Sequence, residues 1–291
     1  MQELKKHASL DEQLGKLSGR GLIVENCDET KKMLFNINYY RFSGYLFGFK
    51  QSGSDEYVKG VNVARIKRIY DFDRRFTRIL MFALEDIEET LKTRISYLIT
   101  SFFPDDPLIY LKPMIYRNYG PYIKFLKKFY RSVDDNRKLP FVKHHFDQYG
   151  GKMPMWVAVE LWTMGNLHAI YDNLLPKYQK DIARSYGTGP TQLSSWIKNL
   201  TYTRNHLAHY MRIYDFNFGR SPIQCKNYHV YKNVANRIFD QIYIISFMYS
   251  DKNEWNEFVI PEIKGLLYEY APVISLTCIG FPDNWEELLR K

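Results

Sequence analysis

Apolar residues recur at steps of three and four along most of the chain, a period that predicts helices. Residues 62–100 keep this period without interruption and predict one long helix. Alternating apolar and polar positions, which would indicate strands, are almost absent, although weak alternation at residues 273–279 predicts a short extended piece. The pattern therefore favours an all-α fold, built as a multi-helix bundle. Further helices are predicted at residues 28–45, 121–133, 140–149, 154–175, 192–211, 227–249 and 252–268.

Cap and loop residues divide these helices into groups. Ser9 and Glu12 have the spacing of a capping box, which predicts a short first helix that ends near residue 18. A polar loop at residues 51–56 separates the N-terminal helices from the rest. We expect a single helical domain over residues 1–291. Within it, residues 1–55 would form an N-terminal helical pair, residues 61–250 the helical core and residues 251–291 the C-terminal helices.

The predicted helix at residues 192–211 carries an unusual set of polar residues. Its apolar positions form one stripe that includes Met211, and Arg204 falls in the middle of that stripe. A buried guanidinium needs a partner, and Glu160 is a carboxylate within the apolar helix at residues 154–175. We expect Glu160 and Arg204 to meet between the two helices. Asn205 and His209 lie about 40° apart on a different face, which points away from the stripe.

Basic residues exceed acidic ones, with 41 Lys and Arg against 32 Asp and Glu, for a formal net charge of +9. This excess favours a polyanionic partner, either nucleic acid or an anionic membrane surface, and solubility alone is the simpler explanation. Lys and Arg residues alternate with aromatic residues near residues 122–131. This arrangement suits single-stranded RNA, whose bases can stack on the aromatic rings, but an ordinary amphipathic helix would show it too. The candidate RNA-binding residues are Arg41, Arg65, Arg68, Arg74, Arg75, Lys124, Lys127 and Lys128.

The cysteines and the apolar segments indicate where in the cell the protein is expected. Cys27, Cys225 and Cys278 form no disulfide or metal pattern, which favours a reducing, cytoplasmic location. The first residues lack the apolar centre of a signal peptide. The longest apolar run, near residues 242–249, is too short to span a bilayer, so we expect no membrane association.

The polar residues of the helix at residues 192–211 suit RNA cleavage without a metal or any other cofactor. In that reaction the ribose 2′-hydroxyl attacks the adjacent phosphate, so protons must move and charge on phosphorus must be stabilised. His209 would act as general acid or base, because histidine side chains exchange protons near neutral pH. Arg204 would stabilise the phosphate or organise the site, and Asn205 would orient the imidazole or a phosphate oxygen.

The spacing R-N-x-x-x-H at residues 204–209 resembles the active motif of HEPN-type ribonucleases. Trp156, Glu160 and Gly165 match a W-x-x-x-E-x-x-x-x-G pattern of the bacterial abortive-infection Abi family. The chain resembles that family, of the AbiD and AbiF kind, over nearly its whole length, from about residue 10 to residue 285. Three other segments carry the resemblance: YYRFSGY at residues 39–45, IYDFDRR at residues 69–75 and GFPDNW at residues 280–285.

The resemblance implies a HEPN-type bundle with an N-terminal helical extension and a role in abortive infection, an antiviral defence against phage. It implies a toxin that acts as an RNA endonuclease, with Arg204, Asn205 and His209 as catalytic residues. It also implies a homodimer, in which two motifs face one cleft, products with 2′,3′-cyclic phosphates, and an antitoxin or small RNA regulator. Tyr210 departs from the family, whose members often carry a second His there. Either His206 serves in its place or it is a plain surface residue.

Three other functions stay open from the residues. The chain could be a non-catalytic RNA-binding protein that holds a structured or guide-like RNA. His206 and His209, three positions apart, could share a metal, although no carboxylate or Cys lies at a usual spacing nearby. The chain could also be an interaction protein whose HEPN-like fold only dimerises.

Overall fold

The computed structural model of the chain describes residue 4, residues 6–224 and residues 235–291. Within these ranges the chain folds into helices and forms no strand, so the all-α prediction is confirmed. Short helical turns lie at Phe47–Phe49, Ile109–Leu111, Pro113–Ile115 and Val159–Leu161, and a π-helical turn lies at Trp255–Val259. The α-helices are α1 (Leu10–Ser18), α2 (Cys27–Asn36), α3 (Tyr39–Tyr45), α4 (Val63–Ser101), α5 (Tyr119–Asp135), α6 (Pro140–Tyr149), α7 (Met155–Ala158), α8 (Met164–Asn173), α9 (Pro176–Arg184), α10 (Pro190–Ala208), α11 (Ile238–Met248), α12 (Lys252–Glu254), α13 (Ile260–Tyr270), α14 (Leu276–Ile279) and α15 (Trp285–Leu289).

Helix α4 is the central element of the fold. It has 39 residues and is therefore about 60 Å long at 1.5 Å per residue. The side chain of Asn62 caps its first turn by accepting the backbone N–H of Arg65 at 2.8 Å. Helices α3, α7, α9, α10, α11 and α13 all pack against it. One cluster of buried apolar side chains runs from Leu17 in α1 to Leu289 in α15.

The N-terminal helices differ from the prediction. The capping box of α1 is present, with the side chains of Ser9 and Glu12 each accepting the other residue's backbone N–H. The helix predicted at residues 28–45 is broken, because the backbone at Ile37 is extended and Asn38 caps a new helix, α3. An unbroken helix would bring Tyr40 to the core beside Met33 and Ile37, but the break rotates the second half and leaves Tyr40 87% exposed.

The helix predicted at residues 154–175 is also broken. Helix α7 tightens into the turn Val159–Leu161, the backbone at Trp162 is extended, and Thr163 caps α8. Glu160 lies in the tight turn and is exposed. The apolar neighbours that the sequence predicts around this carboxylate therefore face elsewhere.

The C-terminal region is helical where the structure describes it. The helix predicted at residues 252–268 continues to residue 270, and a π-helical turn precedes Pro261. The extended piece predicted at residues 273–279 is wrong, because the short helix α14 occupies its second half. Of the helix predicted at residues 227–249, residues 227–234 lie outside the described residues. No helix within the described ranges has the length and apolar character that crossing a membrane requires.

Candidate functional site

The helix that carries the predicted catalytic residues ends earlier than its apolar period suggests. Helix α10 stops at Ala208, and Tyr210 adopts a left-handed backbone with φ = +58°. The backbone N–H of Met211 donates to the His206 carbonyl at 3.0 Å, and that of Tyr210 donates to the Leu207 carbonyl at 2.9 Å. This is the Schellman arrangement, in which glycine usually takes the left-handed position. Because the chain turns here, the placement of Met211 in the buried stripe is wrong, and its side chain is exposed.

A buried carboxylate in α4 holds the segment that follows this turn. Asp73 accepts the backbone N–H groups of Ile213 at 2.7 Å and Tyr214 at 2.8 Å, together with the hydroxyl of Tyr45 at 2.8 Å. Its side chain is removed from solvent. Burial raises the pKa of Asp73 to about 6, although the three hydrogen bonds act in the opposite direction. Helices α3 and α4 together therefore fix where the chain goes after α10.

His206 points into the protein rather than toward solvent. Its ring lies 4.4 Å from that of Phe216, and its Nε2 is 2.7 Å from the Arg212 carbonyl, to which it donates if that nitrogen carries the proton. Burial lowers the pKa of His206. The prediction of a plain surface residue is wrong, because the ring is buried and packs the turn against the core. A catalytic role for His206 in place of a second histidine stays a prediction.

Asn205 and His209 are exposed at the outer side of the α10 terminus. His209 occupies the cap position, and its backbone N–H donates to the Asn205 carbonyl at 3.0 Å. The two side chains are therefore carried by one rigid turn of chain. Both can reach a ligand without any rearrangement of the core.

Arg204 lies beside an acidic pocket between α4 and α10. Its Nε is 3.5 Å from Oε2 of Glu88, and its side chain is 39% exposed. The prediction that Glu160 pairs with Arg204 is wrong: Glu160 lines the same pocket, but the ion pair forms with Glu88 from the longer helix. The acidic pocket, as we call it, has four glutamates and two cations, so it repels phosphate rather than attracting it. Its lining residues are Glu85, Glu88, Glu89, Lys92, Thr93, Glu160 and Arg204.

The candidate RNA-binding residues of α4 separate into two groups. Arg68 donates to the Glu269 carbonyl at 3.1 Å, and Arg75 forms an ion pair with the Glu269 side chain, so both fasten α13 to α4. Arg65 lies over the Phe49 ring at 5.2 Å. Arg74 instead faces the turn after α10. The long helix therefore presents only part of its positive charge to the predicted catalytic residues.

Helix α5 exposes its basic residues and buries three of the interleaved aromatics, whereas Tyr130 is 51% exposed. Phe125 and Phe129 are buried in the core, together with Tyr122. The expected stacking of RNA bases on these aromatics is therefore wrong, because their faces are covered by protein. The side chains exposed on the opposite face include Lys124, Lys127 and Lys128.

Two arginines and one tyrosine meet next to His209, and we call them the arginine–tyrosine cluster: Arg41, Arg74 and Tyr210. The guanidinium carbons of Arg74 and Arg41 lie 4.4 Å and 6.0 Å from the centre of the Tyr210 ring. Arg41 also donates to the Tyr210 carbonyl at 3.3 Å. Among the described residues neither guanidinium forms an ion pair with a carboxylate. The cluster is a concentration of positive charge at the exposed end of α10.

Asp73 is the site residue that sequence reasoning missed. A carboxylate at a buried position of the α4 stripe, one residue after Phe72, was the available signal.

For metals, the described residues contain no group of three or more His, Cys, Asp or Glu arranged to hold an ion. His206, one of the two predicted ligands of a shared metal, is turned into the core.

Comparison with known proteins identifies the family. The sequence model described as Abi-like protein matches residues 32–215, which is more than half of the chain. The matched range includes α3, α4 and α10 as well as the turn that Asp73 holds. Neither the curated proteins nor the solved structures contain a match. The chain therefore belongs to the Abi-like protein family.

Proposed function

We propose that this Abi-like protein acts in abortive infection as a metal-independent RNA endonuclease of the HEPN type. One observation carries the proposal: His209 is exposed at the end of α10, and the residue after it, Tyr210, contacts two guanidiniums that have no carboxylate partner among the described residues. A general acid or base next to an unneutralised positive charge is what cleavage of a phosphodiester needs. Membership of the family supports the role in abortive infection.

The chemistry assigns a task to each residue. The ribose O2′ attacks phosphorus, the bond from phosphorus to O5′ breaks, and a 2′,3′-cyclic phosphate and a 5′-hydroxyl result. His209 takes the proton of the 2′-hydroxyl or gives one to O5′. Asn205, one turn away, orients the imidazole or a phosphate oxygen. The two proton transfers need two groups, and a homodimer with two facing motifs would supply both as a pair of His209 residues.

Arg204 is better suited to organise the site than to bind phosphate. Its guanidinium faces Glu88 and the other glutamates of the acidic pocket, on a different side of α10 from Asn205. An ion pair at this place joins α10 to α4 near the catalytic turn. Loss of Arg204 would therefore lower activity through the position of α10.

The test is cleavage of labelled single-stranded RNA in excess chelator. The variants are His209→Ala and Arg204→Ala, and the matched controls are His144→Ala in α6 and Arg184→Ala in α9, both exposed. We expect the wild type and the controls to cut and to leave cyclic-phosphate ends, while His209→Ala is folded and inactive. Cleavage that persists in His209→Ala would overturn the proposal.

A non-catalytic RNA-binding function is the second candidate, because the arginine–tyrosine cluster can attract phosphate whether or not His209 takes part. In that case the wild type and His209→Ala would bind RNA equally and neither would cut. A structured RNA that binds here would equally suit the role of a small RNA regulator.

Cys27 and Cys278 are free thiols, which fits the cytoplasmic location that we propose.

A further inference from the structure

We infer that Arg41, Arg74 and Tyr210 form a subsite for one unpaired nucleotide of RNA, with the base stacked on the Tyr210 ring and its phosphate held by the two guanidiniums. The inference rests on the proposed function, since it places this nucleotide next to the scissile phosphate. It adds a residue, Tyr210, that contacts one unpaired nucleotide of the substrate.

The charge of the cluster calls for an anion. Two guanidiniums approach the same ring, and neighbouring like charges raise each other's energy unless an anion neutralises them. Asp73, the carboxylate next to Arg74 in sequence, already accepts three hydrogen bonds and is buried. A phosphate has the geometry that arginine pairs bind, because each guanidinium offers two parallel N–H donors.

The backbone of Tyr210 indicates that its side chain has a role outside the fold. A residue with a Cβ is strained at φ = +58°, and glycine or asparagine fits this position of a helix end better. The ring is 55% exposed, so burial does not compensate for the strain. Strained residues that do not stabilise the core concentrate at functional sites. An exposed aromatic ring beside arginines is a platform on which a base can stack.

The geometry also selects unpaired RNA. A base inside a helix has both faces covered by its neighbours, so only a base outside a stack can lie on the Tyr210 ring. The platform is fixed in advance, because Arg41 binds the Tyr210 carbonyl and Asp73 holds the residues that follow. Little conformational freedom is therefore lost when the nucleotide binds.

Affinity measured in the His209→Ala background tests the subsite, because the RNA then stays intact. The probes are one labelled single-stranded oligoribonucleotide and the same sequence annealed to its complement. Variants add Tyr210→Ala, Tyr210→Phe, Tyr210→Gly, Arg74→Ala or, as a matched control, Arg184→Ala. We expect Tyr210→Ala and Tyr210→Gly to weaken binding of the single strand about tenfold, within the range for stacking of one base. Tyr210→Phe, which keeps the ring, should bind like the parent.

Two further readouts separate binding from folding. Tyr210→Gly relieves the backbone strain, so it should lose affinity without a lower melting temperature. Arg74→Ala should lower the slope of log affinity against log salt by about 0.7, the value for one phosphate contact on a single strand. The duplex should bind more weakly than the single strand and should not respond to Tyr210→Ala.

The outcomes distinguish this inference from the proposed function. If the wild type never cuts RNA but the Tyr210 and Arg74 variants lose affinity as described, the subsite stands and the nuclease does not. If the wild type cuts RNA but Tyr210→Ala and Arg74→Ala bind like Arg184→Ala, the subsite is overturned and the nuclease stands. Equal affinity for duplex and single strand would also overturn the subsite.

Discussion

The carboxylate of Asp73 accepts a hydrogen bond from the backbone N–H of Ile213 at 2.7 Å, across 140 positions of the chain. Its second oxygen accepts the N–H of Tyr214 at 2.8 Å. These bonds join the middle of the fold, α4, to the turn that follows α10. The positions of His209 and Tyr210 therefore depend on a side chain far away in the sequence.

Replacement of Asp73 should loosen this turn. In Asp73→Ala the N–H groups of Ile213 and Tyr214 lose their acceptor, and each buried group left unpaired costs about 1–3 kcal/mol. We expect the free energy of unfolding in urea to fall by roughly 3 kcal/mol. The control is Asp105→Asn, which changes an exposed carboxylate. Its free energy of unfolding should stay within about 0.5 kcal/mol of the wild-type value. If the urea concentration at the midpoint of unfolding is unchanged in Asp73→Ala, other contacts hold the turn.

The pH dependence of stability should carry the signature of Asp73. Its pKa of about 6 lies above the ordinary range for a carboxyl group, so the folded protein binds this proton more tightly than the unfolded chain does. The resulting stabilisation is fully present below about pH 4 and is lost as the pH rises through 6. The difference in unfolding free energy between wild type and Asp73→Asn should therefore shrink by up to about 3 kcal/mol from pH 4 to pH 7.5. A difference that stays constant over this range would contradict the prediction.

His206 should contribute a pH dependence of opposite sign. Burial lowers its pKa, so the unfolded chain takes up the proton first as the pH falls below about 6.5. Stability that depends on neutral His206 is therefore lost toward acid pH. In His206→Phe, which fits the ring cluster with Phe216, unfolding free energy should fall less steeply between pH 7 and pH 5 than in wild type. Parallel profiles for the two proteins would rule this out.

The ion pair between Glu88 and Arg204 should matter more for activity than for stability. The pair is partly exposed, and such pairs contribute between 0 and about 1 kcal/mol. The free energy of unfolding of Glu88→Gln should therefore lie within about 1 kcal/mol of the wild-type value. If Arg204 organises the site of the proposed nuclease, Glu88→Gln should also lower the rate of RNA cleavage, as we expect for Arg204→Ala. Full activity in Glu88→Gln together with an inactive Arg204→Ala would instead indicate that Arg204 acts on the substrate.

The sequence predicts those parts of the fold that local pattern decides. The long helix expected at residues 62–100 is α4, Val63–Ser101, because its apolar period has no interruption. The helix expected at residues 140–149 is α6, Pro140–Tyr149, because Pro140 starts it and Gly150 takes a left-handed conformation at its end. In both cases the residues within the helix and at its caps determine the result.

The end of α10 could not be predicted in this way. Tyr210 takes the left-handed position that glycine usually marks, so the sequence gives no local sign of a turn. The chain turns there because Asp73 and Tyr45 hold the residues that follow, and that contact is not local. The contact of Arg74 with Tyr210 could not be predicted either, because it depends on which partner each arginine of α4 meets in the folded protein. The partner of Arg204 was missed for a related reason, since Glu88 and Glu160 were both available carboxylates.

The distance between Asp73 and Ile213 along the chain has a consequence during synthesis. Arg41 and Arg74 leave the ribosome early, but Tyr210, which completes their cluster, is translated 169 residues after Arg41. A growing polypeptide therefore holds no assembled cluster until residues 210–214 have been made. The proposed nuclease would therefore be inert beside its own transcript until most of its length has been made.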